Sequence, residues 1–194
     1  NYIRFGGKGY IVGGKIAPSF RHVDVLPVTV EKTVAFIGQQ TQEDPFLVYV
    51  PFSAPHTPWV PTDSFTGKSE AGTYGDFTMM VDDAVGKILK ALDEKGFSQN
   101  TLVIFTSDNG GHWLPQDIKQ YDHLSNLHLR GQKADIHEGG HRVPFIVRWP
   151  GEIEAGTGRD QLGGLTDVFA TLASILRRPL EWGEGEDSFN LLPL

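Results

Sequence analysis

Asp108 and Asn109 follow at once on the apolar run Val103-Ile104-Phe105-Thr106 and Ser107, with Gly110 and Gly111 directly behind them. An ionised carboxylate only accepts, and a side-chain amide oxygen adds a second hard donor, so the pair has the make-up of half a hard-cation site. The glycines let the backbone turn tightly behind those ligands. The same residues are good turn formers in any protein, and their types alone do not separate the two readings. His56 lies between Pro55 and Pro58, which stiffen the backbone around it and present its imidazole either as a reagent or as a rigid exposed corner. Lys133, two residues past Gly131, offers a fixed ammonium or an ordinary solvated cation. Arg142 has Glu138 four residues upstream to pair with. The 7 histidines include no His-Glu-x-x-His or other helical zinc spacing, which disfavours a zinc enzyme.

These residues need elements that carry them. Val30, Val34 and Ile37 share a helical face within residues 28 to 37, and Phe46 to Val50 is a short continuous apolar run closed by Pro51. From Tyr74 to Leu92 the apolar residues Phe77, Val81, Ala84, Val85 and Ile88 recur at helical spacing, and Gly96 supplies a stop. A strand over 102 to 106, a polar segment to about 140, a strand over 144 to 149 and a helix over 166 to 176 opened by Thr166-Asp167 complete the pattern. Buried strands separated by helices predict an α/β fold with a mostly parallel sheet flanked by helices. In such folds ligands gather beyond the carboxyl ends of strands. Ala54 to Pro58 and Asp108-Asn109 fall there, and Leu129 to Lys133 leads from the polar segment into Glu138 to Arg142.

Bulk properties narrow the class. The chain has 194 residues, 39% of them hydrophobic and 12 of them Phe, enough for a substantial core. With 17 Lys and Arg against 24 Asp and Glu, a formal charge of -7 argues against nucleic acid as a partner. No apolar stretch approaches the ~20 residues of a membrane span, and Asn1 opens without an initiator Met or a leader, so a processed or partial chain is expected. The absence of cysteine excludes disulfides, thiolate metal ligands and a Cys nucleophile from these residues.

Taken in order, Ala-Pro-His-Thr-Pro at 54 to 58, Phe-Thr-Ser-Asp-Asn-Gly at 105 to 110, Leu-Arg-Gly-Gln-Lys at 129 to 133 with Glu-Gly-Gly-His-Arg-Val-Pro at 138 to 144, and Thr-Asp-Val-Phe-Ala-Thr-Leu at 166 to 172 resemble the sulfatase family. This is the arylsulfatase-like branch of the alkaline-phosphatase superfamily, and the likeness runs from Leu26 to Leu194. The resemblance implies a sulfuric ester hydrolase. It implies Asp108 and Asn109 as calcium ligands, and His56 and Lys133 as catalytic residues that also bind the sulfate; His112, close behind the metal pair in sequence, is then expected to line the substrate mouth. The substrate would be a sulfated small molecule or glycan, and the parent would be periplasmic, lysosomal or extracellular.

Departures from the family pattern matter equally. The family nucleophile is a formylglycine made in a Cys/Ser-x-Pro-x-Arg motif; here Ser53-Ala54-Pro55-His56-Thr57 ends in Thr instead of Arg. The formylglycine and the paired aspartates that complete the calcium site are expected in the parent, not in these residues. Phe5-Gly6-Gly7-Lys8-Gly9 does not reproduce the family's Gly-Lys-Trp-His segment. The expectation is a partial catalytic domain, with an irregular lead-in over 1 to 25, an α/β core over 26 to 178, and the start of a linker to a C-terminal subdomain over 179 to 194. Such a fragment should bind calcium weakly and lack turnover. Phe65 to Gly75 and Trp113 to His128 are candidate rims, with Trp113 and Tyr121 as stacking or core aromatics. A phosphonate or phosphodiester hydrolase of the same superfamily, and a binding module that kept the fold without the chemistry, are the alternatives.

Overall fold

Residues 2–4, 10–12 and 15–193 are described by a computed structural model, the first two segments by their backbone. Contacts group the chain into two units, Asn1–Ile153 and Glu154–Leu194.

The first unit is organised by two helices, α1 (Val25–Gln39) and α2 (Gly72–Glu94), which pack on each other. In α1 the buried residues Leu26, Val30, Thr33 and Ile37 fall at helical spacing on one stripe. Pro27 sits in the first turn, where the backbone N–H it lacks would have no intrahelical partner. In α2 the buried face is Phe77, Met80, Ala84, Ala91 and Leu92. Its stop is the one foreseen. Gly96 takes a left-handed φ of 72°, its N–H donates to Asp93 O at 3.0 Å, and the Phe97 N–H donates to Leu92 O at 2.9 Å. Asp76, buried in α2, accepts from the N–H groups of Gly67 (2.8 Å), Lys68 (2.9 Å) and Ser69 (2.7 Å), which fastens the preceding loop to the helix. One core cluster joins Leu26, Val30, Trp59, Phe77, Met80 and Trp113; a second joins Ile37, Ala91, Leu92 and Phe97.

The strands depart from expectation. β1 (Tyr2–Arg4) and β2 (Tyr10–Val12) form an antiparallel pair, so the lead-in is not irregular throughout. The Phe5 to Gly9 segment lies outside the described residues. β3 (Val103–Thr106) pairs antiparallel with β4 (Phe145–Arg148), Val103 opposite Arg148 and Thr106 opposite Phe145. Among the described residues there is no parallel pair, so the mostly parallel sheet is not formed here. Apolar periodicity sets which face a strand buries and is silent on the direction of its neighbour. The Phe46 to Val50 run is no strand either. Phe46 packs on Phe97 at a ring separation of 5.4 Å, but Leu47 is 75% and Tyr49 83% exposed, and an apolar run without a partner edge has no ladder to enter.

Two short helices lie in the polar segment, α3 (Pro115–Tyr121) and α4 (Glu138–His141). The second unit holds α5 (Asp167–Ile175), matching the expected helix. Within this unit the bonds of α5 run to residues 164 and 187–191. Ser188 Oγ accepts from Ala170 N–H at 2.8 Å and donates to Thr166 O at 2.7 Å, and Thr171 Oγ1 accepts from Leu191 N–H at 2.9 Å. Residues 188–191 thus bond back to α5. Asp167 accepts from Gly164 N–H at 2.7 Å and Phe189 N–H at 2.8 Å, and these bonds, Gly164's first, hold its carboxyl below the ordinary aspartate value. A depressed folded pKa contributes stability above the ordinary value of 3.8, and that contribution disappears as pH falls through the folded value. Asp167→Asn should accordingly lower the melting midpoint of this unit at pH 7 and lower it by less at pH about 3. Circular dichroism melts at both pH values check this.

Candidate active site

β3 delivers Asp108 and Asn109 to a loop whose backbone is fixed from several directions. Ser107 Oγ donates to Asn109 O at 3.0 Å, and Asn109 Nδ2 donates to Gly110 O at 3.1 Å, which leaves Asn109 Oδ1 as the acceptor of that side chain. The Asp108 carboxylate is exposed and carries no hydrogen bond or ion pair among the described residues. Gly110 N–H donates to Gly140 O at 2.9 Å. A Cβ on Gly110 would stand 1.9 Å from Gly139 O, and one on Gly139 would stand 2.2 Å from Gly131 O. Only glycine permits main chains this close.

The lysine segment is laced into the same knot. Gly139 N–H donates to Arg130 O at 2.8 Å, and Lys133 N–H donates to Gly111 O at 3.1 Å. Gln132 Oε1 accepts from Trp113 N–H at 3.1 Å, and its own N–H is held by Asp135 Oδ2 at 3.0 Å. Asn126 Oδ1 accepts from Gly111 N–H at 2.8 Å, while Asn126 Nδ2 donates to Gly111 O at 3.0 Å and Gly131 O at 3.3 Å. Three segments distant in sequence, 108–111, 130–133 and 138–140, thus meet through main-chain bonds.

The segment that carries His56 is linked to Trp113 through Trp59. Pro55 O accepts from Trp59 Nε1–H at 3.1 Å, and the Trp59 ring lies 6.2 Å from Trp113 and 5.4 Å from Tyr74. The His56 side chain is exposed, with Nδ1 2.7 Å from Thr57 O. A carbonyl can only accept, so Nδ1 carries the proton and Nε2 is the atom left to meet another group. Glu138 and Arg142 pair at 3.2 Å as their spacing suggested.

His112 is exposed between Gly111 and Trp113. Trp113 is core, not rim. It is 5% exposed, packs on Tyr74 at 4.8 Å and Tyr121 at 5.8 Å, and donates from Nε1 to His123 O at 2.8 Å. Burial in this cluster raises the Tyr74 phenol above its ordinary value and keeps it neutral. Phe65 and Tyr74, at the ends of the other candidate rim, pack against the same core.

Among the described residues no three His, Asp or Glu side chains are placed to hold a metal together. Asp108 and Asn109 offer two oxygens, the right type for calcium but fewer than the six to eight it takes. The pair fits calcium as part of a site.

The sulfatase family profile matches residues 27–177. The chain belongs to the sulfatase family. Among relatives, the N-acetylgalactosamine-6-O-sulfatase of Bacteroides thetaiotaomicron is 35% identical over 185 residues, 93% of this chain and 36% of that protein. Human arylsulfatase H is 39% identical over 171 residues, 88% of this chain and 30% of its own length. The chain spans about a third of the length of these relatives. A solved structure from work on the metabolism of multiple glycosaminoglycans by Bacteroides thetaiotaomicron superposes with a TM-score of 0.83 at 34% identity, covering 89% of this chain and 37% of that one. The complex of Ps i-CgsB with k-i-k-neocarrahexaose gives 0.76 at 28% identity, covering 87% and 37%.

Sequence reasoning named Asp108, Asn109, His56 and Lys133 as candidates and missed Asn126, Gln132 and Trp59, whose side chains bond to the loops that carry them. The adjacent Gly139-Gly140 pair was the available signal, since two glycines inside a polar motif mark a close backbone approach. Nothing in the sequence singles out Asn126 from other polar loop residues.

Proposed function

We propose that this chain is the sulfate-contacting part of a calcium-dependent sulfuric ester hydrolase. The observation that carries the reading is the bond from the Lys133 amide to the Gly111 carbonyl, which hangs a cation two residues past a pair of oxygen donors in a chain of the sulfatase family. Asp108 and Asn109 would hold calcium through side-chain oxygens. Bound there, the ion would neutralise sulfate charge and orient the attacking group.

The chain's own residues supply the remaining electrostatics. Lys133 brings a positive charge and N–H donors to the sulfate oxygens, whose negative character grows as the S–O bond lengthens. His56, with Nδ1–H committed to Thr57 O, presents Nε2. Protonated, Nε2 donates its hydrogen to the bridging oxygen, and that proton leaves with the alcohol. The nucleophile is expected to be a formylglycine, and the sequence has neither cysteine nor a Ser-x-Pro-x-Arg motif to provide it. None of the residues described performs the covalent step, and the isolated chain is expected to show no turnover. Relatives named for N-acetylgalactosamine sulfate and a neighbour bound to k-i-k-neocarrahexaose support a sulfated glycan or small molecule as substrate; the family resemblance alone suggests an exported parent. Among the described residues no helix is long and apolar enough to cross a membrane. In the complete domain the Phe46 to Val50 run, with Leu47 and Tyr49 exposed here, would take its place in the larger sheet.

Calorimetric titration of the purified chain with sodium sulfate tests this. Sulfate should bind more tightly in millimolar calcium than in a chelator, and Lys133→Ala should weaken it about tenfold, the effect of one charge-assisted contact. Binding indifferent to calcium and to Lys133 would point to a module without the chemistry.

A further inference from the structure

Asn126 spends its whole amide on the two loops that carry the chemistry. Its Oδ1 accepts from Gly111 N–H at 2.8 Å, one Nδ2 contact goes to Gly111 O at 3.0 Å and the other to Gly131 O at 3.3 Å. The opposite roles of Gly111 N–H and C=O fix which end of the amide is oxygen, since a flipped amide would set donor against donor and acceptor against acceptor. Gly111 O also accepts from Lys133 N–H at 3.1 Å, so both of its lone pairs are taken, one by each partner. Gly111 is in this way the point where the loop of Asp108-Asn109 and the loop of Lys133 are joined, and Asn126 closes the joint from the third side.

The backbone around the joint is strained. Leu127 (φ 52°) and Ala134 (φ 74°) occupy the left-handed region without being glycine, and Gly131 (φ 84°) lies between them. Non-glycine residues hold such dihedrals only where their surroundings over-determine them. Asn126, next to Leu127 and bonded to Gly131, supplies part of that constraint.

We propose that Asn126 is a positioning residue that sets the spacing between the Asp108-Asn109 donor pair and Lys133. The proposal rests on the sulfatase reading for its purpose, and its geometry is independent of it. It acts through Gly111 and Gly131 and touches neither metal nor substrate.

Hydrogen exchange by NMR on the 194-residue chain, with Asn126→Ala and Asn126→Asp, tests the joint directly. Asn126→Ala should accelerate exchange of the Gly111 and Lys133 amides together by about tenfold while amides of α2 keep their rates. Asn126→Asp retains an acceptor for Gly111 N–H but loses both donors. It should keep the Gly111 amide slow and release Lys133. In parallel, sulfate affinity in calcium should fall about tenfold in both variants, as when Lys133 itself is removed. Unchanged exchange at Lys133 in Asn126→Ala overturns the proposal, as does acceleration spread through α2, which would make Asn126 a general stability residue. If the unsubstituted chain binds no sulfate, the sulfatase reading fails while the exchange data still decide whether Asn126 joins the loops.

Discussion

His56→Ala, made in a chain extended to the length of the sulfatase relatives so that a nucleophile is present, should lower kcat/KM for a sugar or alkyl sulfate by about 10³-fold. The geometry makes the cost specific. Nδ1 is 2.7 Å from Thr57 O and holds its proton there, so Nε2 alone can deliver a proton to the departing oxygen. An alkoxide is a poor leaving group and needs that proton, whereas a nitrophenolate leaves nearly unaided, so with a nitrophenyl sulfate the loss should shrink to about tenfold. Steady-state kinetics with both ester types checks this. Equal losses would mean that His56 binds sulfate without transferring a proton.

Gly110→Ala should destabilise the first unit by about 3 kcal/mol, near the upper end for overpacking. The added Cβ would meet Gly139 O at 1.9 Å and Gly139 C at 2.8 Å. Both are main-chain atoms already committed to the knot, so neither can swing aside as a side chain would. The Gly110 N–H bond to Gly140 O, 2.9 Å, would be strained by any movement that relieved the clash. Gly86→Ala is the control, because nothing lies within 4 Å of a Cβ there and alanine favours the middle of α2. Urea unfolding should show the first variant well below the parent chain and the second at or above it. Matching midpoints for Gly110→Ala and the parent would show that the knot yields without cost.

What the sequence disclosed about the fold follows from how local each signal is. The helix expected over 74 to 92 spans Gly72–Glu94, since its stripe is long and Gly96 stops it. The strands near 103 and 145 also lie where the apolar runs placed them. Their antiparallel pairing did not follow from those runs, because strand direction depends on neighbours and not on side-chain alternation. Phe46 to Val50 reads as a strand and lacks one for a related reason: its hydrophobicity suits a sheet interior that the described residues do not enclose. In the site, residue types exposed Asp108, Asn109, His56 and Lys133 as candidates, and motif order gave them a common purpose. The bonds that bring their loops together are mostly main chain to main chain, as from Lys133 N–H to Gly111 O, and these leave no mark on side-chain identity. Trp113 shows the converse. An aromatic beside a candidate metal pair looks like a substrate platform, and only its packing on Tyr74 and Tyr121 reveals it as core.

The bond pair between Gly111 and Asn126 also closes a ring in the chain. Everything from His112 to Ser125 is an excursion that leaves and returns at one anchored point. The entropic penalty for lengthening such an excursion rises only with the logarithm of its length. Within the ring the Trp113 bond to His123 O holds the turn after α3, while the Asn126 bonds fix the ends of the excursion beside the Asp108 and Lys133 loops. Under the proposed function, change in what is recognised is thereby uncoupled from the interval between the donor pair and the cation, and variation among relatives should concentrate inside this ring.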